Sequence, residues 1–535
     1  MARAADTLVV IGAGAGGCVL ATRLAQRTRA RVVLLEAGGH AWSPLLKVPM
    51  AVGKALREGW HGWHYQTEPI AGADGRSVIW PRGKVVGGST SINGMIYVRG
   101  AAADFDAWAD AGNEGWRHAD VLPYFKRAEH HLDRHDAHHG NEGPWVVARA
   151  TDPNPLYDAF VEAGVAAGFA HNDDFNGAVQ EGFGRYDFCI DRGLRSSTAT
   201  AYLPLARRCA NFELITRAHA TRLLLDGTTV TGVEYATAGR RERIEASEVF
   251  LCGGVVNSPQ LLQLSGIGEP ADLEPHGIAV RHALPGVGRG LTDHVQLPIR
   301  FTCNRPLTVY TQIRADRMLG AMAQAMFAGS GPATRFPVEG GAFTRASPQS
   351  PAADLQWFFV RSLGVARLRG FGRSNDPLMQ EGFTIALCML QPNSRGRIGL
   401  RSADPLSKPV ISPGWLDHPS EVDVFLAGME QVARVADAAP LRQFIGACLT
   451  AELTDKDRAT RERYVRRNTG PGHHQVGTCR MGHDAHAVVD AQLRVRGLDR
   501  LRIVDASVMP NIVRGNTAAA TVMIAEKCAD LVAPS

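Results

Sequence analysis

The segment Gly470–Gly482, GPGHHQVGTCRMG, sets His473 and His474 side by side ahead of Cys479, with His483 and His486 just beyond. Three chemistries fit such a set. The imidazoles and the thiol are usable zinc ligands, but no Cys-x-x-Cys knuckle is present and CRMGHDAH is a glycine-punctuated turn, so no metal is expected. Either histidine alone fits a hydrogen-bonded core position. The third reading is catalytic. An alcohol hydroxyl does not ionise unaided near neutral pH, and imidazole, with an ordinary pKa of about 6.5, is the side chain suited to take its proton. In an extended segment neighbouring side chains point to opposite faces, so one member of the pair is expected to look into a pocket.

A base needs an electron acceptor beside it, and the N-terminal region is built to hold one. TLVVIGAGAGGCVLATRLAQ reads as a strand over Thr7–Ile11, a glycine turn, then a helix. Gly12, Gly14 and Gly17 match G-x-G-x-x-G: Gly12 permits the tight turn, Gly14 lets the backbone approach a pyrophosphate, and Gly17 lets helix and strand pack closely. The helix N-terminus adds free N–H groups and a positive dipole end. A second strand in RVVLLEAGG ends at Glu36, placed to accept hydrogen bonds from ribose hydroxyls. This order predicts dinucleotide binding and leaves NAD and FAD both open.

A second cluster, PRGKVVGGSTSINGMIYVRG, keeps its backbone bare at Gly87, Gly88, Ser89 and Thr90, as contact with a flat ligand or a phosphate would require. From Gly83 to Asp106 the sequence resembles the first signature of the glucose–methanol–choline (GMC) oxidoreductases. GGVVNSPQLLQLSGIG resembles the second, with Val255 where a smaller residue is usual. HHQVGTC and DASVMPNIVRGNTAAATVMIAEKCADL resemble the family's C-terminal segments, so the likeness runs from end to end, closest to the bacterial choline- and alcohol-dehydrogenase-like branch.

The resemblance implies FAD, held noncovalently because Asn93 stands where many relatives carry a flavin-linked histidine. It places Val86, Gly87, Gly88, Ser89, Asn93, Gly94, Ile96, Ala220, Asp505, Ala506 and Thr517 at the cofactor, beside Gly12, Gly14, Gly17 and Glu36. It selects His474 as the base and Asn516 as the second polar residue, which would orient the substrate oxygen without adding charge. The helix from about Thr517 would turn its positive end to the reduced flavin. The activity implied is oxidation of an alcohol CH–OH group, the proton passing to histidine and the hydride to flavin N5, with oxygen, a quinone or a carrier as final acceptor. The alternative on the same fold is a hydroxynitrile lyase with a non-redox flavin. Choline is a minority option, since a quaternary ammonium needs an aromatic cage and usually a carboxylate. Trp357, Phe358 and Phe359 are either such rings or sheet core.

The expected fold is α/β: a Rossmann-like FAD-binding domain (1–154, 195–300 and 470–535) interleaved with a substrate-binding domain (155–194 and 301–469). The latter is built on an antiparallel sheet flanked by helices. DLQWFFV, EGFTIALCML and RGRIGLRS read as its strands and SEVDVFLAGMEQVARVADA as a helix behind them. EHHLDRHDAHHGNEG (Glu129–Gly143) tempts a metal assignment, but its Gly/Asn/Asp setting reads as an exposed loop.

The 535 residues are 45% hydrophobic and 21% charged, ordinary for a globular enzyme. The net charge of +5 is spread without the basic stripe that nucleic acid wants. The nine scattered cysteines read as reduced core residues in a reducing compartment. MARAAD is too short for a signal peptide and no apolar run spans a bilayer, so a cytoplasmic protein is expected. The Met/Ala stripe Arg317–Gly329 suits peripheral contact with the inner membrane surface, although such a stripe more often marks a packed helix.

Overall fold

β-Branched apolar runs close the first core. Thr7–Ile11 pairs in parallel with Arg31–Glu36 on one side and Glu248–Leu251 on the other, and Phe212–Thr216 and Leu501–Ile503 complete a five-stranded parallel sheet. These strands are covered on both faces, which is why they read as continuous apolar stretches. The computed structural model describes residues 6–54, 59–364, 368 and 376–534; the residues Met1–Ala5 read for a leader lie outside them. The helices Ala15–Arg27 and Thr517–Val532 pack together on this sheet. A β-carbon on Gly17 would lie 1.8 Å from the Gly12 carbonyl oxygen, so glycine there is a packing requirement.

The second core is an antiparallel sheet in the order Ile445–Cys448, Val295–Cys303, Gly382–Met389, Leu355–Val360, Gly340–Thr344, Gly182–Arg185, with Gly470–Pro471 also paired to Val295–Cys303. The helix Ser420–Asp437 backs it, with Gly428 against Leu387 and Leu355. Register sorts the aromatic run at 357–359: Gln356 pairs with Cys388 and Phe358 with Ala386 on one face, while Trp357 and Phe359 point the other way into the core. The chain is thus an α/β protein with a Rossmann-like parallel unit and an antiparallel second lobe. The strand Val295–Cys303 runs through position 300, where a domain boundary was expected. The strand in RGRIGLRS, Gly396–Gly399, belongs instead to a separate three-stranded sheet with Arg289–Leu291 and Val410–Ser412.

The Met/Ala stripe forms the helix Ala315–Ala328, which packs Met318, Ala321, Met322 and Ala325 against Val309, Ile313 and Ala333, while Leu319 and Phe327 are 73% and 88% exposed. One local expectation is overturned. The histidine-rich segment is not simply an exposed loop. Glu129, His131 and His139 are buried, with Arg99 Nη2 2.6 Å from Glu129 and His139 bridging Glu129 Oε1 (3.1 Å) and Asp174 Oδ2 (3.0 Å). Burial works against the His139 cation, but its bonds to Asp174 and Glu129 outweigh it and raise the pKa to about 9. Of the nine cysteines, all free, Cys448 is exposed and Cys209 half-buried. Among the described residues no helix is long and apolar enough to cross a membrane.

Gly17→Ala should force helix and strand apart at a cost of about 1–3 kcal/mol and lower the melting temperature of the FAD-loaded protein by several degrees. Gly320→Ala, in the exposed helix where an added β-carbon meets nothing within 4 Å, should leave it unchanged or raise it slightly.

Candidate functional site

A cavity of about 440 Å³ opens at the carboxyl ends of the parallel strands, where ligands bind in open α/β sheets. At one end Gly12, Gly14, Glu36 and the first turn of the helix Ala15–Arg27 line it, with Ala218, His219 and Ala220 opposite. Gly14 faces open space, the nearest atom to an added β-carbon being 4.0 Å away. Glu36 is buried and braces the turn, its Oε2 accepting from Ala13 N–H (2.9 Å) and its Oε1 from Gly38 N–H (2.8 Å). Burial outweighs these two bonds and pushes its carboxyl up to about 7.

The bare loop forms one wall. Gly88, Ser89, Asn93, Gly94 and Ile96 line the cavity, with Gly88 so close to Gly14 that a β-carbon would approach the Gly14 Cα to 2.7 Å. Val86, Gly87 and Gly17 do not line it. Val86 and Gly87 act from behind: Val86 N–H donates to Gly39 O, Gly87 N–H donates to Ala13 O, and Gly87 adopts φ +93°. The Asn93 amide oxygen accepts from Arg195 Nη1 (2.6 Å) and Met95 N–H (3.2 Å), so this position offers no nucleophile to a flavin. Arg195, buried, also binds the carbonyls of Leu46, Thr90 and Asn93 and thereby clamps the loop.

The opposite wall comes from the C-terminal segment. Asp505, Ala506, Asn516 and Thr517 line the cavity, and Asn516 stands at the N-terminal boundary of the helix Thr517–Val532 without a side-chain bond to it, so the helix's free N–H groups open toward the cavity. Asp505 Oδ2 accepts from Gly254 N–H (2.8 Å) and Ser258 Oγ (2.6 Å), fixing the second glycine turn. A cleft edged by Gly12, Gly14 and Gly88, with a carboxylate at its sheet end and a helix N-terminus at the other, fits FAD. The partnerless buried Nδ1 of His473 adds a polar atom for a ligand to satisfy.

Both histidines of the pair line this cavity, contrary to the alternation expected of an extended segment. His473 adopts φ +65°, which breaks the alternation. Asp293 holds the turn, accepting from His474 N–H and the Gln475 amide, each at 2.7 Å, while Arg82 donates to His473 O (2.8 Å). Burial pushes the Asp293 carboxyl up to about 7. His474 is sandwiched. Its Nε2 lies 2.9 Å from Asn516 Nδ2 and its Nδ1 2.9 Å from His294 Nδ1. Burial first, then His294, His473 and Arg82, hold its pKa well below 6.5, and burial takes His473 and His294 down to about 3.

Asp293 and His294 were not singled out from the sequence. The available signal was an acid–imidazole pair, TDH, abutting the apolar strand VQLPIRF, where a buried strand entry leaves polar side chains needing partners. Cys479 is buried, while His483 and His486 are exposed, so the set that suggested zinc does not converge. Two other groups, His294–Cys388–His474 and Asp136–His139–Asp174, bring ligand-type atoms together, but both ring nitrogens of each of these histidines are already hydrogen-bonded.

This fold and cleft define an FAD-dependent oxidoreductase with noncovalently held cofactor. The GMC oxidoreductase models match residues 6–296 and 392–525, and the chain belongs to that family. It is 38% identical over 98% of its length to an alcohol dehydrogenase [acceptor] of Pseudomonas putida (95% of that protein) and 39% identical to the mitochondrial choline dehydrogenase of Homo sapiens (98% and 89%). The solved pyridoxine 4-oxidase from Mesorbium loti superposes with a TM-score of 0.88 at 29% identity, covering 98% of both chains. These relatives are redox enzymes, and the chain oxidises a CH–OH group; the hydroxynitrile lyase alternative is set aside.

Glu36→Ala removes the acceptor of two buried N–H groups and one wall of the cleft. It should weaken FAD retention about tenfold or more, read as flavin content after dialysis, with the apoprotein still folded by circular dichroism.

Proposed function

We propose that the protein is an alcohol dehydrogenase for neutral, largely apolar alcohols, with His474 as the base and Asn516 as the orienting residue. The observation that carries this is the 2.9 Å approach of His474 Nε2 and Asn516 Nδ2 at the cavity wall. A hydroxyl oxygen seated there accepts from Asn516 Nδ2–H while its own proton faces His474 Nε2. FAD, when bound, supplies the acceptor for the hydride leaving the same carbon. Because burial keeps His474 neutral, its lone pair is available without prior deprotonation. A buried imidazolium is costly, so the proton should reach Nε2 only as the carbon–hydrogen bond opens.

The wall beside this pair is apolar: Phe336, Val338, Phe358, Val360 and Ala386. Among the described residues the only carboxylates lining the cavity are Glu36 and Asp505, both braced by backbone N–H groups. With Trp357 and Phe359 turned into the core, the run 357–359 gives the cavity only the Phe358 ring, and among the described residues no carboxylate beyond those two lines it for a quaternary ammonium. This supports a neutral substrate, although several relatives are choline dehydrogenases. A quinone or carrier as acceptor is favoured by the likeness to an acceptor-linked dehydrogenase. The exposed Leu319, Met326 and Phe327 support peripheral contact with a membrane surface. In this reading 1–154, 195–300 and 470–535 bind the cofactor and 155–194 and 301–469 shape the substrate side, with the boundary at 300 moved back to the start of the strand Val295–Cys303.

In anaerobic stopped-flow mixing, His474→Ala should slow flavin bleaching by about 100-fold or more while FAD stays bound; an unchanged rate removes His474 from this role. The bleaching rate depends on neutral His474 and therefore falls as pH drops through that group's pKa. Its acid limb should lie well below pH 6.5. Aromatic or medium-chain primary alcohols should exceed choline in kcat/KM by at least about tenfold, and equal or better turnover of choline would refute the neutral-substrate assignment.

A further inference from the structure

Two chains of hydrogen bonds converge on His474, and each begins at a peptide carbonyl. A carbonyl oxygen only accepts, so the direction of each chain follows from its outer end.

On one side, Leu390 O lies 3.1 Å from His294 Nε2, which must therefore carry hydrogen. His294 is fully buried, and burial keeps it neutral against the pull of the Leu390 and Val513 carbonyls, so with its one hydrogen on Nε2 toward Leu390 O its Nδ1 is bare. That bare nitrogen is 2.9 Å from His474 Nδ1, which must then carry a proton and donate it. On the other side, Tyr186 Oη donates its single hydrogen to Trp357 O at 2.7 Å. Its oxygen can then only accept from Gln356 Nε2–H, 3.1 Å away. This fixes the Gln356 amide and aims its Nε2 at Asn516 Oδ1, at 3.2 Å. Asn516 is left with Nδ2 facing His474 Nε2, so Nε2 must be an acceptor. The two chains come from different strands, and both require the same state of one ring.

We propose that His294 and the Tyr186–Gln356 pair are positioning residues that lock His474 in the tautomer protonated at Nδ1, so that Nε2 is an unprotonated acceptor, held by Asn516 Nδ2–H until a substrate hydroxyl takes that place. The function of this lock rests on His474 being the base. None of the three reaches the reacting atoms. His294 acts through the His474 ring, and Tyr186 and Gln356 act through the Asn516 amide. A neutral histidine free to choose would lose the reactive lone pair whenever its proton moved to Nε2, and the substrate hydroxyl would then meet a donor. Tyr186 and Gln356 are fully buried, so neither chain has water as an alternative partner to reverse it.

The test is ¹⁵N-histidine NMR of the FAD-loaded protein, with the His474 signals identified by their loss in His474→Ala. The wild type should show His474 protonated at Nδ1 and unprotonated at Nε2; the opposite tautomer overturns the proposal without touching the assignment of the base. His294→Leu removes the acceptor and should shift His474 toward the Nε2–H form. It should slow anaerobic flavin reduction by about 10- to 100-fold and leave the substrate dissociation constant within about twofold. His294→Asn, which returns an acceptor oxygen near the lost Nδ1, should restore the tautomer and most of the rate. A slowed His294→Leu with an unchanged His474 tautomer would also overturn the proposal, as would a shifted tautomer with an unchanged rate. If His294→Leu does not fold, Gln356→Leu, which frees the Asn516 amide, should shift the tautomer in the same direction, and its failure to do so would count against the lock. An unaffected rate in His474→Ala would instead fail the base assignment and leave the tautomer result intact.

Discussion

The left-handed turn at His473 is the constraint on which the site depends. A non-glycine residue holds φ +65° only if its surroundings insist, and here they do from two sides. Asp293 accepts from the backbone and side chain just after the turn, and Arg82 donates to the carbonyl within it. Without that turn, strand alternation would send one of the two imidazoles away from the cavity. With it, His474 reaches Asn516 on the parallel-sheet side and His294 on the antiparallel side.

This places the His474 imidazole at the seam of two sheets. Gly470–Pro471 pairs with Val295–Cys303, while Leu501–Ile503 and the helix after Asn516 belong to the dinucleotide unit. A short stretch of chain therefore leaves one sheet, crosses the cavity mouth and enters the other. The seam can be this tight because glycines permit backbone contact: Gly88 lies on Gly14, and a β-carbon on Gly472 would come within 2.6 Å of the His294 side chain.

Burial also sets the charge state of the cleft. It raises Glu36 and Asp293 to about 7 and lowers His473 and His294 to about 3, so acids and imidazoles alike are driven toward neutrality. The expectation of a histidine poised at its ordinary pKa is corrected by this environment. In the proposed role of His474 as base, such a cleft leaves the ring neutral until the substrate loses its proton. Arg99, Glu129, His139 and Asp174 show the opposite solution in the same molecule: there the charges are kept because they are paired.

The sequence by itself determined the dinucleotide unit, since the strand–glycine–helix–strand order and Glu36 are local and each glycine has a local steric reason. Its likeness to the family also pointed to His474 and Asn516. It could not tell which face of 357–359 looks inward, because an aromatic run with no polar alternation carries no register; pairing of Phe358 with Ala386 decided that. It marked the Met/Ala stripe of the helix Ala315–Ala328 as a packed face but could not say that Leu319 and Phe327 would be left uncovered, because an apolar pattern does not say where its cover ends. Asp293, His294, Gln356 and Tyr186 reach His474 and Asn516 from as much as 330 residues away in the chain, Tyr186 to Asn516 being the longest span. Only tertiary structure decided the orientation of those hydrogen bonds, because donor direction depends on what lies at the far end of each chain.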